Sequence, residues 1–531
     1  MLQSEKTNTR PSRQPLAGKP HSLPSSQLGH VPFFFCFLVA ASLLLFASKS
    51  SPLYSFNDWV DANVLFTIGK GMVHGKVPYR DLFDLKGPLT YLIFGIGSLI
   101  AKRTFYGVYV LEVVAVSFFL YYAGKTITLF GSRTLALLMV PVLAAIAVNT
   151  AAFSNGASAE EFCLPLVAFS LYSMMRMQMG NDSSTLDNAR PVLNGICAGC
   201  AFCIKYSLMG FWLAWVLILL DVHNAPGRRV MGMRGLAMFV AGLLLAMLPW
   251  VVYFAVHGAL GDLYQMYFWL NLNGYAVPLD IGQRLAFVGS LLVSNLGANP
   301  VLAIFLVIGL LGSPFILPRG RGFLQRFAVF MAFLLLGMSV YGGGREYGYY
   351  FLIFAPLATV GFCVLVRTVS SRPRIALKPP AAWAGAALVL LTGLAYSATL
   401  NPNRLAPQVA RRDLVQYKFA AIINRSQDRT LLTYGVLDVG VYTAAGIVPN
   451  TRYFFLPNLV HKVFPELMLE QDRYIREGVV NFVVARVLPD REDVPFAAAD
   501  PAGRYTLVAT GRQVFMGIDF KYLLYQRRDS P

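Results

Sequence analysis

Charge is scarce in this chain. Only 14% of its 531 residues are Asp, Glu, Lys or Arg, against about 25% in soluble domains. That excludes an ordinary soluble fold over most of the length. Hydrophobic residues make up 56%, and many apolar runs approach the ~20 residues that cross a bilayer. Acidic residues are scarcer still, 27 against 45 basic, leaving a formal net charge of +18. In a polytopic membrane protein such an excess belongs to Lys/Arg-rich cytoplasmic loops, not to nucleic-acid binding. Attraction to anionic lipid is a second use for it. The six cysteines all fall in or beside apolar runs, so an extracytoplasmic disulfide framework is excluded. Cys197, Cys200 and Cys203 have the spacing of an iron–sulfur run but lack a fourth ligand. Gly195, Ala198, Gly199 and Ala201 among them suit tight helix packing in a membrane. Also missing are G-x-G-x-x-G, a P-loop and H-E-x-x-H. No internal repeat stands out, as inverted transporter halves would give.

What is present has a clear order. Residues 1–30 are polar, with Lys6, Arg10, Arg13 and Lys19, and read as a disordered cytoplasmic tail. Val31 to about Ala47 reads as a first span without a small-x-small cleavage site, hence an uncleaved anchor. Basic loops follow at Lys125/Arg133, Arg176/Arg190, Arg228/Arg229/Arg234, Arg319/Arg321/Arg326 and Arg367/Arg372/Arg374/Lys378. Placing all five in the cytoplasm obeys the positive-inside rule. The intervening spans then run 105–124, 134–150, 162–178, 191–207, 209–222, 235–256, 298–317, 327–342, 350–368 and 380–399, eleven with the first. Leu89 to Ala101 is too short for a comfortable crossing and reads as an interfacial or re-entrant helix; a true crossing is the alternative.

The expected fold is a polytopic α-helical membrane protein with a small C-terminal extracytoplasmic α/β domain. Its parts are the tail 1–30, a transmembrane domain 31–400 with outer loop 49–104, and the domain 401–531. In the last part, 430–435, 479–485 and 505–509 read as buried strands and 408–424 and 463–477 as amphipathic helices.

Chemistry concentrates on one face. The loop after the first span holds Asp58, Asp61, Arg80, Asp81, Asp84 and Lys86, broken by Gly and Pro into what reads as a turn-rich loop, not one helix. Carboxylates at a bilayer boundary are costly unless they face water or serve a site. Asp61 is placed to take a proton from an acceptor hydroxyl. Asp58, three residues earlier, shares its face if the segment is helical, and paired carboxylates raise one pKa. Both also fit solvated residues at a helix start. Glu160 and Glu161 stand directly before an apolar run, where helix N-terminal charge is an equally simple use. Arg80, Lys86 and Arg345 are outer-face cations suited to a lipid phosphate. Lys205 lies near the outer end of a span, where snorkelling is the alternative. Tyr264, Tyr267, Trp269, Asn271, Asn273 and Tyr275 form an aromatic, amide-rich stretch that suits a sugar or a head group; interfacial aromatic belts look alike.

The run Asp61…Gly69…Gly75-x-x-Pro78-Tyr79-Arg80-Asp81-x-Phe83-Asp84-x-Lys86-Gly87-Pro88-Leu89 resembles the first outer loop of GT-C membrane glycosyltransferases. It is most similar to bacterial relatives of the dolichyl-phosphate-mannose–protein mannosyltransferases and to the lipid A aminoarabinose transferases. Glu160-Glu161-Phe162-x-Leu164-Pro165 and Arg345-x-Tyr347-x-x-Tyr350 resemble that family's second acidic loop and late outer element. The resemblance covers about residues 55–360. It implies a transferase with a polyprenyl-phosphate sugar donor, Asp61 as catalytic carboxylate, Lys86 on the donor phosphate, and Glu160 or Glu161 as the second acid. Arg80, Asp81, Lys205, Tyr275, Arg345, Tyr347 and Tyr350 complete the expected substrate-binding set. Two positions depart from the pattern: Ala62, where many relatives have Glu, and Tyr349, where many have His. The first leaves a divalent cation, Mg or Mn, open; no metal ligands are assigned.

The expectation is an inverting glycosyltransferase in the bacterial inner membrane, acting on an envelope glycan, lipid or protein. The alternatives are a flippase for lipid-linked sugars and a non-catalytic partner in envelope-polysaccharide assembly.

Overall fold

The computed structural model describes residues 31–179, 189–224, 229–318, 322–370, 379–406, 408–457, 464–490, 494–515 and 517–528. The expected tail over 1–30 lies outside them, as do Arg228, Arg319, Arg321, Arg372, Arg374 and Lys378 of the basic loops.

Most of the chain is helical. Among the described residues four helices are long and apolar enough to cross a membrane: Tyr106–Ile127, Gly232–Val256, Gly348–Ser370 and Pro380–Leu405. Six shorter apolar helices accompany them, including Phe33–Ala47, Arg133–Val148 and Ala189–Ile204. Length alone therefore does not reach eleven crossings. The helix of 232–256 turns Leu244, Leu245, Leu248, Val251, Val252 and Val256 outward, an apolar surface that water does not favour and lipid does. On its other side Gly195 and Gly199 of Ala189–Ile204 press against it; a β-carbon at Gly195 would sit 2.0 Å from the Phe239 carbonyl oxygen. The small residues around the cysteines thus serve close helix packing.

Three elements differ from the sequence reading. The outer loop contains a helix, Val60–Val73. The breakers that argued against one cluster after it, at Gly75, Pro78, Gly87 and Pro88. Gly71 sits under the Leu82 side chain, whose Cδ1 would lie 2.4 Å from an added β-carbon, and Gly69 is tolerated because its partner comes too close for a side chain: a β-carbon there would lie 2.5 Å from the backbone of Tyr91 and Gly95. That partner is the short helix Pro88–Ile100, found where an interfacial or re-entrant helix over Leu89 to Ala101 was expected. Second, the stretch between the expected spans 235–256 and 298–317 is not irregular. It passes through two π-helical segments, Tyr264–Trp269 and Asn271–Tyr275. A helix Ile281–Ala298 follows, started by an Asp280/Gln283 capping box. It bends by 119° at Asn299 into Pro300–Ile316.

Third, the C-terminal part forms one four-stranded mixed sheet: β1 (Leu431–Thr433), β2 (Phe482–Val487), β3 (Tyr505–Phe515) and β4 (Ile518–Arg527), in the order β1-β2-β4-β3. β1 and β2 are parallel, and the other pairs antiparallel. β3 extends past its expected end and turns through Gly517, at φ 80, into β4, which had not been foreseen. Of the two expected helices, Val415–Ile423 is shorter than 408–424, and Glu466–Glu477 buries Leu467, Gln471, Tyr474 and Ile475.

Candidate active site

A cavity of about 750 Å³ opens between the loop helix, the π-helical stretch, the segment 339–350 and the sheet domain. Asp61, Lys86, Lys205, Tyr275, Arg345, Tyr347 and Tyr350 all line it. So do Tyr349, Asp84, Arg284, Asn271 and Arg486.

Asp61 sits in the first turn of Val60–Val73, where the helix dipole favours a negative charge. Its Oδ2 accepts a hydrogen bond from the Tyr349 hydroxyl at 2.9 Å. Trp59 packs edge-on against the Tyr349 ring at 5.0 Å. Tyr349 is the position noted as a departure from the family pattern, and here it is the hydrogen-bond donor to the acid.

Lys86 is held by its backbone. Its N–H donates to the Tyr91 hydroxyl at 3.0 Å, and its carbonyl accepts from the Tyr79 hydroxyl at 2.6 Å. Asn271 donates to the Leu85 carbonyl at 2.9 Å, and the Gly87 N–H donates to the Ile204 carbonyl at 3.0 Å. Tyr79 adopts φ 70, in the left-handed region that a side chain rarely enters. The turn-rich segment thus serves to aim one side chain. Among the described residues no carboxylate lies within 4.0 Å of the Lys86 ammonium. Burial pulls its pKa down, yet the negative fields of Asp61, Tyr275, Asp84 and Glu160 prevail and hold it above the usual lysine value. Lys86 is therefore a fixed cation. Asp84, beside it, accepts from the Tyr91 hydroxyl at 3.0 Å. Burial pushes the Asp84 carboxyl up, against Lys86 and the Leu85 N–H.

Three of the other cations, Lys205, Arg345 and Arg284, are occupied. Lys205 pairs with buried Glu160 at 2.5 Å and lies over the Tyr350 ring, 3.2 Å from its centre. Arg345 donates to the Tyr275 carbonyl at 2.8 Å and stacks on the same residue's ring at 4.4 Å. Arg284 donates to the carbonyls of Gly342 and Leu279.

Five expected site residues stand away from the cavity lining. Asp58 does not share a face with Asp61, because Trp59 is extended and the helix begins after it. Asp58 pairs instead with Lys49 at 2.7 Å. Arg80 points outward onto Asp81 at 2.9 Å and the His257 carbonyl at 2.7 Å. Asp81 accepts from the Val77 N–H at 2.7 Å and so braces the turn. Glu161 and Glu112 both accept from the Ala157 N–H, and Glu112 also from the Ser48 hydroxyl. Glu160 reaches the site only through Lys205.

Among the described residues no group of three His, Cys, Asp or Glu side chains converges to hold a metal ion. The cavity has Lys86, Lys205, Arg284 and Arg345 around its carboxylates. This donor set does not fit a resident divalent cation.

No protein-family model matches the chain, and no curated protein matches it. Its fold is similar to that of ArnT from Cupriavidus metallidurans, solved bound to undecaprenyl phosphate. The TM-score is 0.56 at 12% identity, covering 93% of this chain and 97% of that one. The archaeal oligosaccharyltransferase AglB from Archaeoglobus fulgidus, solved with an inhibitory peptide and a dolichol-phosphate, aligns at a TM-score of 0.45 and 12% identity. That alignment covers 85% of this chain and 69% of that one. The likeness to ArnT is one of fold.

Proposed function

We propose that the protein is an inverting glycosyltransferase. It takes a sugar from a polyprenyl-phosphate carrier at the outer leaflet and passes it to an envelope acceptor. Asp61 removes the proton from the acceptor hydroxyl. The oxygen attacks the anomeric carbon, and the bond from that carbon to the phosphate oxygen breaks. The lipid phosphate leaves with its new negative charge, which Lys86 receives. Such fixed, preorganised charge is often the largest catalytic contribution. No step runs through a metal ion.

One observation carries the reading. A hydrogen-bonded carboxylate and an ammonium that has, among the described residues, no carboxylate within ion-pair distance line one cavity, and the cation's backbone is anchored by its neighbours. The fold likeness to a protein solved with undecaprenyl phosphate supports the donor class. The orientation rests on the distribution of Lys and Arg. The short helix Pro88–Ile100 exposes Ile96, Leu99 and Ile100, apolar surface suited to a lipid tail.

The test is sugar transfer in membranes from a radiolabelled polyprenyl-phosphate sugar pool. Asp61→Asn at equal expression should reduce transfer at least ~100-fold, within the range of general-base catalysis, while undecaprenyl phosphate still binds. Unchanged transfer would remove Asp61 as the base. Sugar movement across the bilayer without transfer would put a flippase in its place.

A further inference from the structure

Two hollows meet at Arg486. This residue lies on β2, and its side chain lines the cavity that holds Asp61 and Lys86. It also lines a groove of about 580 Å³ in the sheet domain, walled by Tyr434, Val436, Leu456, Met468 and Leu469. The guanidinium carbon stands 4.9 Å from the Phe515 ring centre and 4.6 Å from that of Phe520. Its Nη1 is buried and, among the described residues, has no hydrogen-bond partner. No carboxylate stands within ion-pair distance of it among those residues either. Its polar neighbour is the Tyr522 hydroxyl.

A guanidinium with a buried, unmet donor is costly to keep. The other cations of the cavity divide by their partners. Lys205, Arg284 and Arg345 are bound to protein oxygens, and only Lys86 and Arg486 have neither an acidic side chain nor a carbonyl on their charge among the described residues. One leaving phosphate accounts for Lys86. Arg486 calls for a second anion, next to an apolar groove.

We propose that Arg486 receives a negatively charged group of the acceptor, whose apolar portion lies in the groove beside it. The acceptor is then an anionic amphiphile, read by the sheet domain, while the donor phosphate is read by the membrane part. This rests on the transferase reading above for the roles of the two ligands.

Binding of paired probes to the purified full chain in a neutral detergent, followed by native mass spectrometry, tests it without turnover. The probes are undecaprenyl phosphate, dioctanoyl phosphatidic acid, dodecanoate and the uncharged dioctanoylglycerol. The wild type should hold undecaprenyl phosphate together with one short-chain anion. Arg486→Gln should weaken the short-chain anion by at least about tenfold, the loss of one charge-assisted contact. It should leave undecaprenyl phosphate within about twofold. Lys86→Gln should do the reverse, and Arg486→Lys, which keeps the charge, should retain part of the anion affinity. Preference for phosphatidic acid over dodecanoate names a phosphate on the acceptor; the opposite preference names a carboxylate. Two results would overturn the proposal: equal weakening of both ligands by Arg486→Gln, meaning one shared phosphate site, or dioctanoylglycerol binding as tightly as the acids. Asp61→Asn should bind both probes normally, so loss of transfer in that variant is separable from loss of the anion site.

Discussion

At the scale of single residues, the contact between Tyr349 and Asp61 orders the site. The hydroxyl occupies one carboxylate oxygen and leaves the other for an incoming ligand. A hydrogen bond to a charged group contributes about 1.5–3 kcal/mol. Tyr349→Phe should therefore lower kcat for sugar transfer roughly ten- to hundredfold, with donor KM little changed, because Tyr349 contacts the acid and not Lys86. Tyr349→His, which restores an N–H donor, should recover part of the rate. Unaltered kcat in Tyr349→Phe would count against any role for this contact. Motif spacing alone pointed to Asp61, Lys86, Arg345, Tyr347 and Tyr350, which line the same cavity. It could not separate them from Asp58, Arg80 and Glu161, since neighbours in sequence share a spacing and not a direction. Arg486 gave no sequence signal, because a single basic residue in a strand looks like any other.

At the scale of elements, backbone contacts at glycine fix the segment that carries Lys86. A β-carbon on Gly87 would sit 2.1 Å from the Cys203 carbonyl oxygen, and a main chain cannot yield as a flexible side chain does. Gly87→Ala should shift the loop and weaken undecaprenyl phosphate binding several-fold, in line with ~1–3 kcal/mol for overpacking. Gly289→Ala, where an added methyl meets nothing within 4 Å, serves as the control and should bind as the wild type does. Isothermal titration in detergent reads both. Most long helices were legible because apolar runs are a strong signal. Helix Ile281–Ala298 was not, because Gln283, Arg284, Ser290, Ser294 and Asn295 interrupt its hydropathy. Nor was Val60–Val73, whose two glycines read as breakers: Pro88–Ile100 packs on Gly69 and the Leu82 side chain on Gly71.

At the scale of the whole molecule, the sheet domain is clamped onto the loop helix. Thr67 donates to Asp438 at 2.7 Å, and the Lys70 ammonium donates to the Tyr442 carbonyl at 3.0 Å. Phe83 donates its N–H to the Arg452 carbonyl at 3.0 Å, and Arg452 pairs with Asp262 at 3.1 Å. Lys70 is only 2% exposed. Burial pushes its pKa from 10.5 down to about 7, against the pull of Asp438 and with the push of Arg103. An unfolded chain binds this proton more tightly than the folded one does. Stability should therefore rise with pH between about 7 and about 10 and fall as pH drops back through 7. Burial raises Asp438, so its ionisation works in the opposite sense, on the acid side. Lys70→Met should raise the unfolding temperature near neutrality and flatten the alkaline rise. Thermal unfolding of detergent-solubilised protein from pH 7 to 10 measures both. If the two profiles rise in parallel, the slope has another source.

The tight crossing of Gly69 and Gly95 has a consequence for traffic through the molecule. Backbone against backbone leaves no side chains to rearrange, so the loop helix, whose first turns line the chamber, is held as a fixed jamb. Another part of the lining is built otherwise. It consists of two successive π-helical turns over 264–275, a rare geometry that recurs at functional sites, and of Gly342-Gly343-Gly344, the last at φ 74. On the proposed reading, a long lipid carrier enters, reacts and departs on the hinged side. Amides over 264–276 and 342–347 should exchange with deuterium well before those of 65–71 and 91–97. Saturating undecaprenyl phosphate should slow the first set alone, as a door does when something stands in it.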